Sequence, residues 1–171
     1  MRKKPKTRAQ LKSEGTELEG VIVAPWFKEN CDGCSAKMFK RFHLITELTS
    51  GCYIHDAEYT FIPLAMPMKS KAAKAARKAA DKTLLRNCKT IVGARGKHPI
   101  RRFWLSRAVY YAVRIFAAKG VTTVAKKYYR MPRTDDQFEE FANMVHYAFP
   151  DSTEFVQGSL KKVYETYVAP S

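Results

Sequence analysis

A mainly α fold with a small β element, built around an antiparallel pair of helices, is what the sequence predicts. Three observations carry this reading. Residues 70–92 (SKAAKAARKAADKTLLRNCKTIV) are rich in Ala and Lys, with Ser70 in front and Gly93 behind. Those are strong helix formers between an N-cap and a stop. Cys52, His55 and Tyr59 stand at i, i+3 and i+7, the spacing of one helical face. Residues 20–24 (GVIVA) are short, β-branched and stopped by Pro25, and read as a strand.

The elements follow in order. Residues 1–16 are polar and basic and read as a flexible arm. After the 20–24 strand, residues 28–36 (KENCDGCSA) are turn-rich and read as a loop. Residues 42–48 (FHLITEL) fit strand or helix equally. Thr49-Ser50-Gly51 is a break that can cap the helix of residues 52–61, which Pro63 and Pro67 then end. The 70–92 helix is followed by a loop over 94–100 and a third helix over 101–118 (RRFWLSRAVYYAVRIFAA). Beyond the Arg101-Arg102 pair at its start, that segment is apolar nearly all round apart from Arg107 and Arg114, so burial is expected. Trp26 and Trp104 read as packing anchors. Asp135-Asp136 opens a fourth, amphipathic helix with Phe138, Phe141, Val145 and Ala148 on one face, closed by Pro150. Residues 158–168 add one short element. The division is an arm over 1–16, a helical domain carrying the site over 17–130, and an acidic helix and tail over 131–171 packed on the same domain.

The chain's 171 residues favour one domain, and 46% hydrophobic content excludes wholesale disorder. No run of about 18 apolar residues offers a spanning helix, and the basic N-terminus lacks the apolar core of a secretory signal. The net charge is +15, unevenly spread. Residues 1–68 are net +2, residues 69–133 net +18, and residues 134–171 net −5. A tract this cationic suits an anionic membrane surface, an acidic protein partner or non-specific nucleic acid. The plainer alternative is a solvated face.

The one carboxylate in the +18 tract is Asp81. Leu84, Leu85 and Cys88 follow it at i+3, i+4 and i+7, so it points with the apolar residues, toward the core. A buried carboxylate needs a partner, and leaving it alone costs several kcal/mol. The nearest candidates from another element are His55 and Tyr59, also on the inward face of their helix, which an antiparallel pairing would bring to it. A His held by a buried Asp is the orienting half of a general-base device. Asp56 points elsewhere on the first helix, available to bind a metal or to cap. The plainer readings are a satisfied core histidine at His55 and a counterion for Lys78 or Lys82 at Asp81. His43, His98 and His146 lack comparable company. Cys52 and Cys88 would face each other across antiparallel helices, as a disulfide in an oxidising compartment or as buried thiols. Without a signal peptide, free thiols are the expectation. A zinc site from Cys31, Cys34, Cys52 and Cys88 is the remaining alternative. No P-loop, dinucleotide fingerprint, nucleophile elbow or zinc-finger spacing is present.

The residues Cys52-Tyr-Ile-His55-Asp56-Ala-Glu-Tyr59 resemble the C-x-x-H-D-x-x-Y helix of the phospholipase A2 superfamily. Ala80-Asp81-Lys-Thr-Leu84 is similar to the A-D-x-x-L/F element of that superfamily's second helix, as in parvoviral capsid phospholipases. The resemblance implies an antiparallel helix pair of phospholipase A2 type. It implies that His55 activates water against an ester, Asp81 orients His55 and Tyr59 bonds Asp81. It also implies that Asp56 binds calcium, with Asp32 and Gly33 from the loop at 31–35, the ion polarising the carbonyl. A Cys three residues before the His is a feature of the superfamily, matched by Cys52. The family's calcium loop is Gly-rich, whereas the loop here holds Gly33 alone.

A second resemblance spans about residues 20–120. Cys31-Asp32-Gly33-Cys34-Ser35, His55-Asp56-Ala-Glu-Tyr59, Ala80-Asp81-Lys-Thr-Leu84 and Tyr111-Ala-Val-Arg114-Ile-Phe116 are similar, in order and rough spacing, to four blocks of a small bacteriophage protein family of unknown function. Those blocks are T-D-G-A-S-x-P, H-D-x-L-Y, A-D-x-x-F and an aromatic, Arg-containing helix. The proline of the first block and the apolar residue before Tyr59 are replaced here. Together the resemblances imply a phage or viral lipid-ester hydrolase acting at an anionic membrane, virion-associated or in the host cytoplasm. The alternative they leave is a non-catalytic virion protein that docks on other virion proteins or DNA through the basic tract.

Overall fold

Helix dominates the computed structural model, which describes residues 17–18, 21–30, 48–94, 99–100, 103–104, 106–111, 131–151 and 153–169. The expectations for the arm over 1–16, for most of the 28–36 loop, for residues 42–47 and for residues 112–118 lie outside these. The β element is minimal. β1 (Glu17–Leu18) pairs antiparallel with β2 (Val21–Ile22), Glu17 opposite Ile22 and Leu18 opposite Val21. The strand is shorter than the sequence pattern suggests. Val23 and Ala24 leave the ladder and enter the core, because Pro25 opens the short helix α1 (Pro25–Glu29). A proline tolerates that first helical position, where an N–H has no partner anyway.

Helix α2 (Thr49–Ala65) is longer than expected at both ends. Thr49-Ser50-Gly51 forms its first turn rather than a break before it. A Cβ at Gly51 would sit 3.3 Å from Cδ1 of Ile91, so the missing side chain lets the next helix come close. Pro63 lies inside α2 and does not end it. Its lost hydrogen bond comes within a turn of the end, where the cost is contained. Termination falls at Met66, whose N–H bonds the Ile62 carbonyl at 3.0 Å and whose extended backbone suits the Pro67 that follows.

Helix α3 (Lys71–Ala94) is capped by Ser70, whose hydroxyl accepts the Ala73 N–H at 3.0 Å. It runs on through Gly93. α2 and α3 are antiparallel, since Gly51 faces Asn87 and Ile91 while His55, one turn on, faces Asp81. Leu48, Cys52, Leu84, Cys88, Ile91 and Val109 fill the seam at one end.

The third helical segment corrects the expectation of burial. Residues 99–100, 103–104 and 106–111 are helical. Ser106 and Val109 are buried, but Ile100, Phe103, Trp104 and Tyr111 face solvent. Trp104 is 66% exposed, its ring edge to face with the also exposed Phe103, and it joins no buried cluster among the described residues. Trp26 does pack, against Phe27 and Phe141, and its indole N–H donates to Glu140 at 2.8 Å.

Helix α4 (Asp135–Ala148) opens as the sequence indicates. Thr134 accepts the Gln137 N–H at 3.3 Å, and the Gln137 side chain accepts the Arg133 N–H at 2.8 Å. This is the reciprocal logic of a capping box. Phe141, Met144 and Val145 form its buried face. α5 (Thr153–Val163) continues into a π-helical turn, Tyr164–Val168. The Tyr164 hydroxyl donates to Asp135 at 2.8 Å, and that bond, with the carboxylate's charge, raises the phenol's pKa. Ile54, Ala57 and Phe61 of α2 share one core with Phe27, Phe141, Val145, Val156 and Leu160. The acidic α4 and the α5 that follows therefore pack on the same core as α2, with Phe61 and Phe141 edge to face at 5.4 Å.

Candidate functional site

Two helix faces build the site. On α2, His55 and Tyr59 lie one turn apart, their rings 4.3 Å between centroids. On α3, Asp81 sits where the alanine-rich first half gives way to the apolar Leu84 and Cys88 face. Asp81 is 1% exposed and His55 7% exposed. The Nε2 of His55 lies 3.2 Å from Oδ1 of Asp81, and the Tyr59 hydroxyl donates to that same oxygen at 2.8 Å. The three residues singled out from the sequence therefore come together, in the arrangement their inward-facing positions imply.

The geometry sets the chemistry of the ring. With its proton on Nε2, the imidazole donates to Asp81 and leaves the Nδ1 lone pair as the basic position. Among the described residues, Asp81 is the hydrogen-bond partner of the His55 ring. The buried carboxylate is placed to stabilise an imidazolium formed when Nδ1 takes a proton.

Asp56 follows His55 on α2 and is half-buried. Its backbone carbonyl accepts the Thr60 hydroxyl at 2.7 Å. Its carboxylate is a hard oxygen donor of the kind calcium takes, but calcium needs six to eight such ligands. Asp32 and Gly33, the other donors the resemblance implies, lie outside the described residues. Among the described residues no group of three or more His, Cys, Asp or Glu could hold a metal ion.

The cysteines divide differently from the expectation. Cys52 is disulfide-bonded, whereas Cys88 is a free, buried thiol. They share the apolar seam without bonding each other. Cys88 thus matches the free-thiol reading and Cys52 does not. Burial pushes the Cys88 thiol up to about 12, so it stays protonated and unreactive at neutral pH.

Two features had no sequence signal. Asn87 is 1% exposed, and its amide nitrogen has no hydrogen-bond partner among the described residues. A groove of about 490 Å³ runs over the flank of α3, with Ile62, Ala76, Ala79, Lys82, Arg86 and Lys89 among its lining. His55, Tyr59 and Asp81 do not line it. Residue spacing locates a helix face but not a groove made by several elements.

Comparison of the chain with protein-family models, with curated proteins and with solved structures yields no match.

Proposed function

We propose that the protein is a phage or viral phospholipase A2-like hydrolase that cleaves a lipid ester at an anionic membrane. One observation carries the reading: a buried Asp81 carboxylate that takes His55 and Tyr59 on the same oxygen across an antiparallel helix pair. That is the relationship the C-x-x-H-D-x-x-Y and A-D-x-x-L elements imply. In this reading water is bound at Nδ1 of His55 and loses its proton to it as its oxygen attacks the ester carbonyl. Asp81 stabilises the resulting imidazolium through Nε2–H, and Tyr59 holds the carboxylate in place. The proton then passes from His55 to the leaving alcohol. Calcium, held by Asp56 with Asp32 and Gly33, would supply the positive charge that a developing oxyanion requires.

The test is release of fatty acid from mixed anionic vesicles, with and without calcium. Wild type should release it in a calcium-stimulated way, and His55→Ala should lower the rate by about 10²-fold or more. No release by wild type overturns the proposal.

A second reading has support from the 7% exposure of His55 and the single glycine of the 31–35 loop. It is a virion protein that keeps the scaffold without turnover. Particles that incorporate the His55→Ala protein and remain fully infectious favour it.

A further inference from the structure

We infer that the face formed by Ile100, Phe103, Trp104, Arg107 and Tyr111 is the surface on which this protein docks to an anionic lipid bilayer. These positions have the i, i+3, i+4, i+7 and i+11 spacing of one helical stripe. Ile100 is 64% exposed, Phe103 47%, Trp104 66% and Tyr111 58%. The opposite positions, Ser106 and Val109, are buried. The segment is thus turned over relative to an ordinary surface helix, with its large apolar side chains toward water. A contiguous exposed apolar stripe marks a contact with something else.

The chemistry of the stripe selects the partner. Trp and Tyr have an apolar body and a polar tip, which suits the headgroup boundary of a bilayer. Arg107 lies over the Phe103 ring at 3.7 Å, so a cation sits among the apolar groups, where a lipid phosphate would meet it. Residues 82–133 of the sequence contain no Asp or Glu, so nothing acidic in this tract opposes an anionic headgroup. Among the described residues no helix is long and apolar enough to cross a membrane, and a one-sided apolar stripe suits a helix lying on the surface. A second copy is a poor occupant, because it would bring two tracts of net +18 together. Stacked nucleobases would leave Ile100 unsatisfied, since it has no π face to offer.

The position of the stripe relative to the site adds a reason. Val109, on the buried side of the segment, packs with Cys52, Leu84 and Cys88. Cys52 is one turn from His55, and Leu84 one turn from Asp81. The stripe is therefore fastened to the two helices that carry the site. Its purpose rests on the lipid-hydrolase reading, but binding itself can be measured apart from hydrolysis.

The experiment uses the full chain and vesicles of ether-linked phosphatidylglycerol and phosphatidylcholine, which have no ester to cleave. Wild type should co-sediment with the phosphatidylglycerol vesicles and far less with pure phosphatidylcholine. Ile100→Ser with Trp104→Ser should weaken that binding roughly tenfold or more while the circular dichroism is unchanged. Brominated lipid should quench wild-type tryptophan fluorescence, and Trp104→Phe should remove most of the quenching, because Trp26 is packed against the core. No vesicle binding, or equal binding by wild type and the double variant, overturns the inference. So does a double variant whose lost function is dimerisation or duplex-DNA binding instead. Binding to ether vesicles without fatty-acid release from ester vesicles overturns the hydrolase proposal and leaves this surface standing. Release that survives unchanged in the double variant, with unchanged binding, does the reverse.

Discussion

Tyr59 and His55 converge on one atom, Oδ1 of Asp81, at 2.8 and 3.2 Å. They are one helical turn apart on α2, and the acceptor is supplied by α3. A single buried oxygen therefore ties the two helices together and fixes the ring orientation of His55. The arrangement makes Asp81 a structural residue, and in the hydrolase reading a chemical one as well, and the two roles can be separated.

Asp81→Ala would leave a half-buried phenol and a buried imidazole without their shared acceptor. An unsatisfied buried donor costs about 1–3 kcal/mol. The variant should lose about 2–4 kcal/mol in urea unfolding, with an unchanged m-value. Asp81→Asn keeps an acceptor oxygen and should lose less than Asp81→Ala. Equal losses would mean that the carboxylate's hydrogen bonds do not hold the seam.

Tyr59→Phe removes one hydroxyl and leaves the His55–Asp81 contact in place. Its stability cost should be about 1 kcal/mol. In the hydrolase reading the rate should fall roughly tenfold, far less than for His55→Ala. A Tyr59→Phe protein as inactive as His55→Ala would give Tyr59 a direct part in the chemistry.

Phe141 and Phe61 are both fully buried and meet edge to face at 5.4 Å. Phe141→Ala should cost about 3–5 kcal/mol, because the cavity opens between α2 and α4. Thermal unfolding followed by circular dichroism would register a fall of many degrees. A small shift would show that α4 does not share the α2 core.

Cys88 offers a pH test with a defined sign. Its folded pKa is raised to about 12 from an ordinary value of 9.0. Below pH 9 the thiol is protonated in both folded and unfolded chains, and the stability it supports is fully present. Between pH 9 and 12 the unfolded chain releases the proton while the folded one keeps it, so stability falls as pH rises. The slope from this group approaches about 1.4 kcal/mol per pH unit. Cys88→Ala should flatten the wild-type curve in that window, measured as the difference between the two proteins. Superimposable curves would show that the thiol is not desolvated. The native chain should also react slowly with thiol reagents at Cys88 and quickly once unfolded.

Much of the site was legible from side-chain spacing. The alanine-rich run around Asp81 commits α3 to helix, and the apolar face of Leu84 and Cys88 turns Asp81 inward. A buried acid demands donors, and His55 and Tyr59 were the pair at matching spacing on another helix. Those constraints are local, so they can be read along the chain. Asp32 and Gly33 were named by resemblance alone.

Other features belong to tertiary structure because they depend on what lies next to a residue. Pro63 reads as a terminator, yet α2 passes it. Gly51 reads as a break, yet it is the position where Ile91 comes close. The segment at 100–111 is largely apolar apart from its arginines, and that composition alone says burial. Whether a face is covered depends on how many elements surround it, and here Ser106 and Val109 are covered while Ile100 and Trp104 are not. The cysteine pattern allowed a Cys52–Cys88 pair, free thiols or a zinc site, and the tertiary structure has Cys52 bonded and Cys88 free. By itself the sequence determined a mainly helical chain with one inward-facing acid in a cationic tract. Tertiary structure decided which groups that acid holds and which apolar face is left in water, because both follow from neighbours distant along the chain.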